Sequence, residues 1–109
     1  MTTIRFPFGA LGATTLDSST TITQEIVDNK TILKIDLKED VSLNLTPHER
    51  LSHGADVFVR VNDASTGYWL GFTGDYIMGD DVSIDGGDTA TVGFVWDGTN
   101  FLKTLEVVE

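Results

Sequence analysis

Residues 89–107, TATVGFVWDGTNFLKTLEV, constrain the fold more than any other stretch of this chain. Val92, Phe94 and Trp96 alternate with Thr91, Gly93 and Val95, the two-residue period of a strand with one buried face. Asp97-Gly98 follows. Asp-Gly between strand-type runs is a hairpin signal, because glycine accepts the positive φ such a turn requires. Thr99 and Asn100 lengthen the loop to about four residues, so a type I turn closed by a bulge is open as well. The returning arm places Phe101, Leu105 and Val107 on one face and Leu102 and Thr104 on the other. A lone hairpin is marginal in water, so this one needs more sheet to pack against.

The upstream chain reads as that sheet. Residues 21–27 (TITQEIV) and 31–37 (TILKIDL) suggest a second hairpin around Asp28-Asn29-Lys30, with Leu33, Ile35 and Leu37 on one face and Lys34, Asp36 and Lys38 on the other. Val41, Leu43 and Leu45 mark a third strand. Thr46-Pro47-His48-Glu49 then matches a helix start: Thr46 as cap, Pro47 in the first helical position, Glu49 completing a capping box. Gly54 stops it, which limits the helix to one or two turns within residues 46–53. Residues 56–62 (DVFVRVN) and 68–73 (YWLGFT) are two more strands around a turn at 63–67. Residues 74–88, with four Gly and five Asp, interrupt the pattern before the last hairpin.

Short strands with turn signals every eight to twelve residues indicate an all-β domain. The expected fold is an antiparallel, jelly-roll-like β-sandwich of seven or eight strands with one short helical turn. Residues 1–20 hold no period beyond four residues, and Pro7, Gly9 and Gly12 deny them a regular strand or helix. They read as an N-terminal arm preceding a single domain at 21–109. The 109 residues give room for one core, burying roughly 65% of the unfolded chain's surface.

Seventeen acidic residues against seven basic ones give a formal charge of −10. The basic residues are dispersed, which argues against binding a nucleic-acid backbone or an anionic membrane. No apolar run approaches the ~18 residues of a membrane span, and the first residues lack a signal-peptide pattern, so synthesis in the cytosol is expected. The absence of cysteine excludes disulfides, thiolate metal sites and cysteine nucleophiles.

Motifs for chemistry are few. His48 and His53, five residues apart on a short helical turn, would point roughly 140° apart, and no cysteine completes a zinc set. There is no G-x-S-x-G elbow, Walker loop or dinucleotide fingerprint, so an enzyme is not expected. Asp81-x-Ser83-x-Asp85-Gly86 has the oxygen spacing of a Ca²⁺ loop, with Asp88 nearby. Val92 stands where an EF-hand needs its bidentate Glu, and no helices flank the loop. Asp81, Asp85 and Asp88 are the candidate Ca²⁺ ligands, and a solvated loop is the plainer alternative. Trp69 lies opposite Tyr68, Leu70 and Phe72 in its strand's alternation. If exposed, it is an interface anchor or a sugar-stacking residue.

Three segments, VSLNLT (41–46), DVFVRVNDASTGYWLGF (56–72) and TATVGFVWDGTNF (89–101), together resemble small β-sandwich modules in structural proteins of tailed-bacteriophage virions. The shared pattern is a short leucine-alternating strand, a strand, an Asp-Ala-Ser/Thr-Gly turn, another strand, a Gly-rich segment and a final Asp-Gly hairpin. It covers about 41–103; the 74–88 segment is more acidic than the pattern. The resemblance implies a non-enzymatic protein of the virion, synthesised in the host cytoplasm. A capsid decoration or auxiliary protein is the leading expectation, and a tail or head fibre component the alternative. It implies no cofactor. Its implied partners are virion proteins such as the major capsid or tail protein, and its implied assembly is a homo-oligomer with a trimer favoured. Phe6, Phe8 and Leu11 in the arm, together with Trp69, are the expected partner-binding residues. A carbohydrate-binding module is the rival reading of Trp69.

Overall fold

The computed structural model describes the backbone of residues 11–16, 21–63 and 66–109, and the side chains of 21–62 and 66–109. Ten strands run through it: β1 (Leu11–Leu16), β2 (Thr21–Ile26), β3 (Lys30–Asp36), β4 (Val41–Pro47), β5 (Asp56–Asp63), β6 (Gly67–Phe72), β7 (Ile77–Met78), β8 (Val82–Asp85), β9 (Ala90–Trp96) and β10 (Phe101–Val108). There is no helix among the described residues. The chain is all-β.

The strands form two mixed sheets, one of six strands in the order β1-β3-β5-β9-β10-β7 and one of four in the order β2-β4-β6-β8. From β1 to β9 each strand lies in the sheet opposite its predecessor. Only β9 and β10 are consecutive strands paired with each other, at Asp97-Gly98, with Phe101 opposite Trp96 and a bulge between Lys103 and Leu105.

Alternating sides this way makes next-but-one strands neighbours, and as far as β6 such neighbours run parallel, whereas β6 and β8 run antiparallel. β1 pairs β3, β3 pairs β5, β2 pairs β4 and β4 pairs β6, all parallel. β7 also lies parallel to β10. The expected wholly antiparallel jelly-roll is therefore corrected to two mixed sheets. Residues 21–27 and 31–37 are not a hairpin: at Asp28-Asn29 the chain crosses from one sheet to the other. The Asn29 carbonyl accepts the Asp56 N–H at 2.8 Å, tying that crossing to the next one down the sheet.

The helical turn at 46–53 is likewise corrected. Thr46 and Pro47 remain in the β4 ladder opposite Glu25 and Ile26, and the His48 N–H continues the pairing to the Ile26 carbonyl at 2.9 Å. Thr46 cannot cap a helix while it extends a strand. What remains is one turn, with Leu51 N–H donating to His48 O at 2.9 Å. Within the expected arm, Leu11–Leu16 is strand β1 on the edge of the six-stranded sheet. Residues 1–10 and 17–20 lie outside the described residues. The 74–88 interruption contributes β7 and β8.

One apolar core lies between the sheets. Leu33, Ile35, Val57, Val59, Val61, Val92 and Phe94 enter it from the six-stranded sheet, and Leu43, Leu45, Leu70, Val82 and Ile84 from the other. Phe72 and Phe94 meet edge to face across the gap, with ring centroids 4.9 Å apart. Aromatic pairs in this geometry add about 0.5–1.5 kcal/mol beyond their buried area. At the hairpin end Trp96 packs on Phe101 at 4.7 Å.

Candidate functional site

The inward alternation of β4, β6 and β8 leaves the opposite residues on the outer face of the four-stranded sheet. Across it run Thr21, Ser42 and Gly71 in one register row, with Trp69 opposite Ser83 and Gly67 opposite Asp85. Small and polar residues therefore floor this face, and Trp69 is the one aromatic side chain on it among the described residues. Trp69 is 54% exposed, whereas its strand neighbours Leu70 and Phe72 are buried.

The Trp69 backbone is held at its amide. Strand β4 starts at Val41, opposite Leu70, so the Trp69 amide lies one step beyond the start of the β4 ladder. The Asp40 carboxylate takes the place of a ladder carbonyl and accepts the Trp69 N–H at 2.8 Å. Asp40 and Trp69 are 29 positions apart, and no local pattern joins them. Sequence reading therefore did not find Asp40.

Two carboxylates stand near Trp69 along its strand. Asp85 is opposite Gly67. Asp81 lies against Gly71, where a Cβ would come within 3.0 Å of its Oδ1, so the glycine makes room for the carboxylate. Glu25 lies at the far end of the same sheet, opposite Thr46, and none of β2, β4, β6 or β8 carries a Lys or Arg. The strand-borne cations Lys30, Lys34, Arg60 and Lys103 all belong to the six-stranded sheet. The two outer faces thus differ in charge, although the sequence shows the basic residues only as scattered. An exposed indole flanked by carboxylates and hydroxyls suits an aromatic, cationic or polyhydroxylated surface.

The other expected site residues are dispersed. Asp81 precedes β8, Asp85 ends it, and Asp88 follows a turn in which its N–H donates to Asp85 O at 3.0 Å. Among the described residues no three His, Asp or Glu side chains converge to hold a metal ion. His48 Nδ1 accepts the Arg50 N–H at 3.1 Å, while the His53 ring lies against Gly98. The two imidazoles serve separate turns. Leu11 begins β1, its backbone in register with Lys30. Phe6 and Phe8 lie outside the described residues. A depression of about 400 Å³, open to solvent, is lined by Met78, Gly79, Asp80, Leu102 and Lys103 on the far edge of the six-stranded sheet.

Comparison with known proteins adds no name to this geometry: no protein-family model and no curated protein matches the chain.

Proposed function

We propose that this chain is a non-enzymatic structural protein of a bacteriophage virion, a capsid decoration or auxiliary protein that docks on another virion protein through the Trp69 face. The observation that carries the docking reading is Trp69 itself, 54% exposed, with its backbone amide held by Asp40. Tryptophan is among the residues that dominate interface energies, and a backbone already held in place has less freedom to lose on binding. The virion assignment rests on the resemblance of 41–46, 56–72 and 89–101 to virion β-modules. The same features suit a tail or head fibre component. In either place the protein acts as a homo-oligomer bound to the major capsid or tail protein, and the acidic surface keeps the assembly soluble.

Mass spectrometry of purified particles tests this reading. The protein is expected in the assembled virion, and Trp69→Ala is expected to cut its incorporation by on the order of tenfold or more. Finding the wild-type protein only outside particles would overturn the assignment.

The carbohydrate-binding reading has one observation in its favour: the exposed indole stands among carboxylate and hydroxyl groups that could take sugar hydroxyls. A glycan array probed with the wild type and with Trp69→Ala decides it. Binding that is lost in the variant would support this second reading, and an array with no signal would remove it.

A further inference from the structure

Strand β10 is paired with β9 along its length, but on its other side only Phe101 and Leu102 are covered, by Ile77 and Met78 of β7. From Lys103 to Val108 that edge carries no strand among the described residues. Three of the exposed large hydrophobic residues lie along it: Leu105 (41%), Val107 (38%) and Val108 (40%). An open edge with apolar side chains is a template for strand addition. The β2 edge of the other sheet, which pairs with no further strand among the described residues, instead presents Thr21, Thr23 and Glu25.

We propose that the β10 edge is the contact between two copies of this chain, which join antiparallel across a two-fold axis into one continuous twelve-stranded sheet. The edge is self-complementary, with Leu105 and Val107 on one face either side of Glu106, and charge allows a second copy to approach there. Each chain carries −10, so two copies repel unless they meet where the surface is neutral. Residues 103–108 hold one cation and one anion, and these are paired: Lys103 Nζ lies 2.7 Å from Glu106 Oε1. The bulge makes that pairing possible. Lys103 and Glu106 stand opposite Phe94 and Val92, both inward, although three residues apart on a regular strand would face opposite ways.

The same parity sets the register. Leu105 and Val107 lie opposite Gly93 and Thr91 on the outer face. Placing Glu106 against its own symmetry mate sets Leu105 of each copy opposite Val107 of the other, on one face. Each central Glu106 keeps its own Lys103, so the two carboxylates meet as parts of neutral pairs. This is an isologous contact, and it gives a dimer in place of the trimer that the resemblance implies. It does not involve Trp69, so it stands independently of the docking reading.

The chain has no cysteine, which gives a direct test. In full-length protein at on the order of 100 µM, sedimentation is expected to show a dimer for the wild type and for Thr23→Lys on the β2 edge. Val107→Lys is expected to dissociate at least about thirtyfold more readily. Glu106→Cys is expected to form a covalent dimer on oxidation at least about tenfold faster than Thr23→Cys, since a two-fold pair lies within disulfide reach. Circular dichroism confirms that each variant is folded. A monomeric wild type, or equal cross-linking at positions 106 and 23, would overturn the proposal. Loss of particle incorporation in Trp69→Ala would leave it unaffected.

Discussion

At Asp97 a single carboxylate organises the last turn. Its Oδ1 accepts the N–H groups of Thr99 and Asn100, both at 2.7 Å, while its own N–H donates to Asn100 O. The Asn100 and Thr99 hydrogen bonds, helped by nearby His53, hold the Asp97 pKa below its ordinary 3.8. A depressed carboxylate contributes stability above its unfolded pKa and loses it as pH falls through the folded value. Asp97→Ala should therefore melt below the wild type at pH 7, with the gap narrowing as pH drops below about 4; thermal melts across pH 2–7 check this. Gly98 next to it has φ +99°, and a Cβ there would come within 2.6 Å of His53 Nε2. Gly98→Val should cost about 1–3 kcal/mol, or roughly 4–8 °C of melting temperature per kcal/mol. An unchanged melting temperature would mean that the turn adopts another geometry. The turn and its glycine were legible because the whole device is local.

Elements were less legible than residues, for a physical reason. Period-two alternation tells which side of a strand faces the core; it does not tell which strand lies beside it. Leu33 and Ile35 point inward whether β3 pairs β2 in a hairpin or crosses to the opposite sheet, and both arrangements fit a three-residue connection. The strand positions could thus be read from sequence, but the parallel pairing could not. β1 was missed because glycine interrupts its six residues and its pairing is with β3, far along the chain. The helix at 46–53 was expected because a capping box is a local signal, and a ladder to β2 overrode it. The register itself can be tested, since Lys34 lies opposite Arg60 across parallel β3 and β5. Lys34→Cys with Arg60→Cys should form an intramolecular disulfide on oxidation, detectable by peptide mass, because aligned cross-strand positions lie within bridging distance. Its absence would contradict the parallel register.

The whole molecule presents two unlike outer faces. One holds Lys30, Lys34 and Arg60; the other has no strand-borne cation among the described residues and carries the exposed indole. The alternation of Trp69 against Leu70 and Phe72 made its outward direction readable in the sequence. The hold of Asp40 on its backbone and the approach of Asp81 to Gly71 depend on contacts between separate elements, and no local pattern encodes those. The docking proposed for this chain would cover this face in a phage particle. Hydroxyl-radical footprinting read by mass spectrometry measures it directly, by comparing oxidation at Trp69 in the free protein and in purified virions. The account predicts that Trp69 oxidises readily in the free protein and is protected about tenfold or more in the particle, as expected for a desolvated interface anchor. Equal oxidation of Trp69 in both states would contradict it.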